Sequence, residues 1–134
     1  MKAILFALLL ISAATVGQAQ SKIYFFRATG YSGSTMGYSA FINDTLVCKL
    51  NNNRYSIHDV KPGKHEISVQ YYGKESKDKA EPISINVEAG KTYYIQITQQ
   101  AKGLTQRIFP QEITESSTAR LLEKCKMDAN CKVE

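Results

Sequence analysis

Apolar and polar side chains alternate in short runs along most of the chain, which is the period of half-buried β-strands. Between residues 65 and 72, for example, His65, Ile67, Val69 and Tyr71 share one phase and polar side chains dominate the other. This pattern predicts one face against a core and one face in water. Comparable runs occupy residues 21–28, 38–44, 45–50, 54–60, 83–90, 91–99 and 107–114.

Turn-forming residues separate these runs. Asn43 and Asp44 tolerate the positive φ of a two-residue hairpin, so the runs on either side are predicted to be antiparallel neighbours. Pro62 and Gly63 predict a type II turn in "VKPGK" and therefore a hairpin there. Pro110 would place the last strand at a sheet edge or end it. We predict an all-β fold, an antiparallel β-sandwich (immunoglobulin-like or prealbumin-like) of about seven strands.

The period changes to that of a helix from about Ser116. Leu121, Leu122 and Cys125 follow three-and-four spacing, and Ser116 and Ser117 are candidate caps. The predicted helix is too short to be stable alone. We expect it to pack on the sandwich, with a role as a partner surface as the alternative.

The N-terminus has the pattern of a secretory signal. Lys2 precedes an apolar run over residues 3–14, and Gly17 and Ala19 are the small residues before a cut at Gln20. A membrane anchor is the alternative, but the run is shorter than the roughly 20 residues of a span. The predicted organisation is a signal peptide over 1–19, a sandwich domain over 20–115 and a helix with tail over 116–134. We expect a periplasmic or secreted product without a transmembrane anchor after cleavage.

Charge adds little to this interpretation. The formal net charge is +5, and it falls to +4 when Lys2 leaves with the signal. Basic and acidic residues interleave at residues 74–79, which is typical of a solvated loop. Nucleic acid is therefore not an expected partner, and weak attraction to anionic envelope polymers is the most that the charge supports.

Three cysteines remain after the predicted cut, and an oxidising compartment permits one disulfide and one thiol. Cys125 and Cys131 are close in sequence and are the predicted pair. Cys48 shares its strand phase with Leu46 and Leu50, which predicts a buried free thiol on the core face. The cysteine spacing and the two histidines do not match a zinc motif, and no cofactor is expected.

Catalytic motifs are not visible in the sequence. His58 and His65 are the only imidazoles, and neither a nucleophile elbow nor a recognisable acid pair accompanies them. The glycine-rich stretch 29–37 lacks a phosphate-binding signature and is interpreted as a loop between strands. We therefore expect a protein that is not an enzyme.

Two tyrosine doublets are the better lead. Tyr72 and Tyr94 would each point away from the core, because neighbours on a strand face opposite sides. If their strands lie in one sheet, they form a binding face with Gln70 and Gln96 that suits stacking against sugars or docking of a protein. The alternative is cross-strand pairing that only shields the sheet.

Three segments carry a resemblance to known proteins: "IYFFRATGYSGS", "AFINDTLVCKLNNNRYSIHDVKPGKHEISV" and "VEAGKTYYIQI". Over about residues 22–100 the chain resembles a family of small exported bacterial proteins known as a domain of unknown function. The stretch at Pro62 is also similar to PEGA-type β-modules of bacterial envelope proteins, with Pro-Gly-Lys-His in place of the PEGA tetrapeptide. The resemblance implies a β-sandwich and an envelope address, and it implies no functional residues.

Our hypothesis from sequence is a non-catalytic binding or assembly module of the bacterial envelope. Its partner would be an envelope protein or cell-wall glycan. A small secreted enzyme or enzyme inhibitor with an unrecognised site is the alternative.

Overall fold

A computed structural model describes residues 20–30, 37–71, 82–129 and 131. The predicted signal peptide (1–19), Tyr72 and most of the glycine-rich stretch lie outside the described residues. The described part contains nine strands, one 3-10 turn and one α-helix: β1 (Ser21–Arg27), β2 (Tyr38–Ile42), β3 (Thr45–Leu50), β4 (Arg54–Val60), β5 (Gly63–Tyr71), β6 (Ile83–Val87), β7 (Thr92–Lys102), β8 (Thr105–Ile113), the 3-10 turn (Glu115–Ser117), α1 (Thr118–Lys124) and β9 (Lys126–Met127).

The strands form two sheets, with the orders β8-β7-β1-β4-β9 and β3-β2-β5-β6. The predicted all-β sandwich is confirmed, with nine described strands in place of about seven. The larger sheet is mixed, because β1 pairs with β7 and β4 with β9 in parallel. Within the described part of the chain, no helix is both long enough and apolar enough to span a membrane.

Strand alternation builds the core between the sheets. Ile23 and Phe25 of β1 are buried there, and so are Ile67 and Val69 of β5. Ile95 of β7 is also fully buried, as the sequence pattern predicts. Because these side chains recur at every second residue, one face of each strand provides the apolar surface that the opposite sheet covers.

The two predicted turns differ in outcome. Asn43 and Asp44 have φ values of 51° and 61°, and the hairpin of β2 and β3 is confirmed. The prediction of a hairpin at Pro62 and Gly63 is wrong, because β4 and β5 lie in different sheets and do not pair. Gly63 has a φ of 132°, well beyond the roughly 80° of a type II turn. This glycine therefore serves a bend that carries the chain from one sheet to the other.

The C-terminal segment crosses the outer face of the larger sheet. β8 is at one edge of that sheet, which confirms the edge position predicted from Pro110, and β9 is at the other. The chain between them contains the predicted helix, α1. Ser117 is the N-cap residue of α1, but its side chain makes no capping hydrogen bond. The helix therefore depends on packing rather than on its cap.

Candidate functional site

The predicted tyrosine face does not form as expected. Tyr94 and Gln96 lie on β7 of the larger sheet, whereas Gln70 lies on β5 of the smaller sheet. Since the sheets pack through their inner faces, the outward side chains of β5 and β7 point to opposite sides of the sandwich. The prediction that these residues share one face is wrong. Tyr72 lies outside the described residues.

Tyr94 instead belongs to an aromatic cluster on the outer face of the larger sheet, formed by Tyr24, Phe26, Tyr55 and Tyr94. The ring centroids of Tyr24 and Tyr94 are 5.2 Å apart in an edge-to-face arrangement. The rings of Tyr24 and Tyr55 are 6.2 Å apart and nearly parallel. The cluster spans three adjacent strands, because β7, β1 and β4 are neighbours in this sheet.

Burial shows that much of this cluster is covered. Phe26 faces away from the inter-sheet core, yet it is fully buried. Leu121 of α1 is 8% exposed and is also outside the inter-sheet core. The thiol of Cys125 donates to the carbonyl of Arg27 over 3.5 Å, which places the end of α1 beside the end of β1. Phe26 and Leu121 are therefore both buried outside the inter-sheet core, on the side of the larger sheet to which the C-terminal segment returns.

One edge of the cluster opens into a groove of about 570 Å³ at the start of β7. Its walls come from the start of β7 and from the end of β8 with the 3-10 turn: Lys91, Thr92, Tyr93, Tyr94, Glu112, Ile113, Thr114 and Glu115. Partial burial raises the pKa of the Tyr94 phenol, and the nearby Glu115 carboxylate raises it further. The groove thus combines aromatic rings, carboxylates and hydroxyl groups.

A second groove, of about 610 Å³, lies beside β4 and β9, on the side of the larger sheet opposite β8. It is lined by Val47, Ile57, His58, Met127, Asp128, Ala129 and Cys131. Cys131 forms a disulfide with Cys48 of β3, across 83 residues of sequence. This disulfide joins the edge strand of the smaller sheet to the segment after β9.

The predicted Cys125–Cys131 disulfide is therefore wrong, and so is the prediction that Cys48 is a free thiol. Cys125 is the free cysteine and is buried. After Cys125 the chain continues as β9, which runs extended and parallel to β4. Cys131 therefore lies farther along β4 and is separated from Cys125. The predicted burial of Cys48 on the core face is confirmed.

His58 lies between the second groove and the core. Its Nε2 atom is 2.8 Å from the hydroxyl oxygen of Ser56, and its ring meets Phe25 edge to face. Burial lowers the pKa of His58, which favours the neutral imidazole. Ser56 is 1% exposed, and Asp59 points to the other face of β4, where it pairs with Lys22 at 2.8 Å. Asp59 thus does not orient the His58 ring, and the Ser56 hydroxyl is closed to a substrate.

His65 has a structural position. Its Nδ1 atom is 2.8 Å from the side-chain amide nitrogen of Asn43, and its Nε2 atom is 2.6 Å from the carbonyl oxygen of Lys61. These contacts fit an imidazole that accepts at Nδ1 and donates from Nε2–H. His65 therefore ties the β2–β3 turn to the bend between the sheets.

Three potential metal ligands meet at the second groove. One ligand atom each of Cys48, His58 and Cys131 lies within 4.8 Å of the others, and this is the one such group among the residues that the structure describes. Sequence spacing did not reveal it, because the three residues come from distant parts of the chain. The one local sequence feature at this site is the two-residue spacing of Ser56 and His58. This spacing puts both side chains on the same face of β4 and allows their hydrogen bond.

No curated protein is significantly similar to the chain. A family model described as "Protein of unknown function (DUF2846)" matches residues 17–109, which is more than half of the 134 residues. The match includes β1 to β7 and part of β8, and it ends before α1 and Cys131. By this match the chain belongs to DUF2846, a family of proteins of unknown function.

Proposed function

We propose that this protein is an exported, non-catalytic binding module of the bacterial envelope, and that the groove beside Tyr94 binds cell-wall glycan. The observation that carries the proposal is the combination of aromatic rings with carboxylates and hydroxyl groups in that groove. Binding sites generally combine apolar surface with a few polar groups that orient the ligand.

The chemistry of the groove suits a sugar chain. The apolar face of a sugar ring stacks on an aromatic side chain, and Tyr94 offers such a ring. Sugar hydroxyl groups donate to carboxylates, and Glu115 supplies such an acceptor near Tyr94. Glu112, which pairs with Ile95 in the strand register, lines the groove from the other face of β8. The Tyr93 hydroxyl accepts the backbone N–H of Glu88 over 2.9 Å, so this side of the groove is held in place.

Two observations support export. The first 19 residues have the pattern of a signal peptide. The disulfide between Cys48 and Cys131 is of a kind that persists in oxidising compartments. If the proposal is correct, intact-mass measurement of the protein recovered from the periplasm or medium will show a chain that starts at or within a residue or two of Gln20.

The non-catalytic part of the proposal rests on the buried Ser56–His58 pair and on the structural contacts of His65. A serine nucleophile must reach its substrate, and the Ser56 hydroxyl is enclosed in the sandwich. If the purified protein released soluble fragments from cell-wall preparations, this result would contradict a non-catalytic role and support the enzyme alternative.

The test is retention of the purified protein on isolated peptidoglycan sacculi across a salt series. Specific binding should persist at high salt, whereas attraction through net charge alone is lost as salt screens it. We expect Glu112→Gln combined with Glu115→Gln to weaken binding by at least about tenfold, because hydrogen bonds to charged groups contribute about 1.5 to 3 kcal/mol each.

The matched control is Glu66→Gln combined with Glu123→Gln, on exposed residues that do not line the groove. It makes the same change in net charge and should bind like the unmodified protein. Equal weakening in both double variants would contradict the assignment to this groove. No retention on sacculi would contradict glycan binding and direct the search to protein partners.

A further inference from the structure

The disulfide at the second groove has a third potential ligand beside it. Cys48 belongs to β3, His58 to β4, and Cys131 to the segment after β9. Their ligand atoms all lie within 4.8 Å of one another. With metal–ligand bonds of about 2.0 to 2.3 Å, His58 is close enough to share an ion with the two sulfur atoms. The sulfur atoms are bonded to each other in the disulfide, so they must move apart on reduction before both can bind the ion.

We propose that the reduced form of this disulfide, together with His58, is a binding site for the thiophilic cation Cu(I). In this protein the disulfide and the metal site are alternative states of the same two sulfur atoms. The inference concerns the second groove and does not depend on glycan binding at the groove beside Tyr94.

Conversion of the disulfide into the Cu(I)-bound form requires a reductant. Reduction of the Cys48–Cys131 bond takes two electrons and two protons from a dithiol donor, which itself becomes a disulfide. The products are two protein thiols. Binding of one Cu(I) then releases their two protons, because thiolate sulfur is the ligand.

The fold holds the ligands together without the disulfide bond. The backbone N–H of Lys126 donates to the carbonyl of Asn53 over 3.0 Å, and the N–H of Asp128 donates to the carbonyl of Tyr55 over 2.8 Å. Cys131 follows three residues later, and its sulfur is 3.7 Å from the carbonyl oxygen of Asp128. The segment therefore remains beside β4 when the sulfur–sulfur bond is broken.

His58 is also placed for metal binding. Its Nε2 atom is bonded to the Ser56 hydroxyl, so Nδ1 is the nitrogen that can bind a metal without breaking that contact. Hydrogen bonding of the second ring nitrogen is the usual support for a histidine ligand. Ser56 would then be a positioning residue for His58.

The ligand set favours Cu(I) over other cations. Thiolates and imidazole are soft or intermediate ligands, which suit Cu(I) and Zn(II) better than Mg(II) or Ca(II). Three protein ligands are too few for a structural zinc site but match an open catalytic one, so the choice of Cu(I) rests on the softness of the donors. A further soft donor, the thioether of the half-exposed Met127, lines the same groove. Cys48 is fully buried, which protects a bound Cu(I) ion from solvent on the core side.

The experiment is an anaerobic Cu(I) titration of the full protein, in competition with a chromophoric Cu(I) chelator. The protein is first reduced with a phosphine, which is removed before the titration. We expect one Cu(I) per reduced chain and none per oxidised chain. The X-ray absorption spectrum of the complex should show a shell of two sulfur atoms and one nitrogen atom.

His58→Phe separates this site from general thiol binding, because it keeps both cysteines. We expect it to lower Cu(I) affinity by at least about tenfold, since even supporting residues of metal sites contribute that much. Cys125→Ser is the matched control, and it should bind Cu(I) with unchanged affinity. Folding of each variant is checked by circular dichroism in the disulfide form, and His58→Gln replaces His58→Phe if the latter does not fold.

Three results would overturn the proposal: no Cu(I) binding by the reduced protein, equal binding by the oxidised protein, or unchanged affinity of a folded His58 variant. Tighter binding of Zn(II) than of Cu(I) in a parallel titration would overturn the choice of metal. If the reduced chain loses its β-sheet spectrum, one equivalent of Cu(I) should restore it, and failure to do so would also contradict the proposal.

Discussion

Arg27 is a cation enclosed at the end of β1. Its side chain is fully buried, and its Nη1 atom donates to the carbonyl of Leu50 over 2.7 Å. The guanidinium lies 3.5 Å from the centroid of the Tyr38 ring. Burial is the main cause that lowers the pKa of Arg27. A planar guanidinium can stack on a ring and donate to a carbonyl at the same time, which explains an arginine in this position.

We therefore expect Arg27→Lys to lower the free energy of unfolding by about 2 to 3 kcal/mol, although the positive charge is kept. An ammonium group cannot reproduce the stacked planar geometry, and the Leu50 carbonyl would lose its buried donor. Urea denaturation measures the change. Arg120→Lys, on the exposed face of α1, is the control and should stay within about 0.5 kcal/mol. Equal midpoints for the two variants would count against this role of Arg27.

Cys125 makes stability depend on pH in the alkaline range. Burial raises its pKa above the ordinary value of 9.0, although Lys124 lowers it slightly. In the unfolded chain the thiol ionises near its ordinary pKa, so the contribution of the buried thiol to stability is complete below about pH 9 and is lost as the pH rises further.

The comparison with Cys125→Ala isolates this effect. We expect the stability advantage of the unmodified protein to be constant from pH 6 to 8 and to shrink above pH 9, because tyrosine and lysine ionisation is common to both proteins. Urea midpoints measured over this range test the expectation. An advantage that does not change up to pH 10.5 would show that ionisation of Cys125 is not coupled to folding.

At the scale of elements, α1 lies in the segment that joins the two edges of the larger sheet, and its end contacts β1 through Cys125. Seven residues are too few for a stable isolated helix, so its stability must come from packing. The helix is thus part of the fold, which agrees with the expectation that it packs on the sandwich.

Two neighbouring leucines provide a matched test of this packing. Leu121 is 8% exposed and Leu122 is 46% exposed. We expect Leu121→Ala to lower the free energy of unfolding by about 2 to 3 kcal/mol, since removal of a buried leucine leaves a cavity. Leu122→Ala should change it by less than about 1 kcal/mol. A similar loss of unfolding free energy in both variants would contradict the idea that the buried Leu121 side chain holds the helix in place.

At the scale of the whole molecule, the disulfide closes the edge where the two sheets meet. It connects β3 of the smaller sheet with the segment that follows β9 of the larger sheet. A crosslink across 83 residues restricts the unfolded chain strongly, because the entropy of loop closure grows with loop length.

We expect Cys48→Ser combined with Cys131→Ser to lower the free energy of unfolding by about 3 to 4 kcal/mol. Denaturant titrations of the two proteins measure the loss. Peptide mapping without reduction should recover Cys48 linked to Cys131, and Cys125 should react with an alkylating agent only after denaturation. A map that links Cys125 to Cys131 would contradict the disulfide described above.

Much of the fold could be predicted from local patterns, whereas the candidate sites could not. Alternation placed Ile67 and Val69 in the core, and the Asn43–Asp44 pair located a hairpin, because each signal depends on a few adjacent residues. Tyr94 was identified as a candidate, but its neighbours Tyr24 and Tyr55 come from other strands. From sequence, Cys48 is a buried free thiol, Cys131 is a disulfide partner of Cys125, and His58 belongs to no recognisable site, since nothing in their spacing indicates that they meet.

The sequence by itself determined the positions of the strands before residue 115, the side of these strands that faces the inter-sheet core, and the short C-terminal helix. These properties follow from the two- and 3.6-residue periods of the backbone, which any short segment displays. The tertiary structure decided that Pro62 and Gly63 join two sheets, that Gln70 and Gln96 lie on opposite sides, and that Cys131 pairs with Cys48. Such outcomes depend on which strands become neighbours, and a strand's own side chains tell which face is buried but do not identify the strand that pairs with its edge.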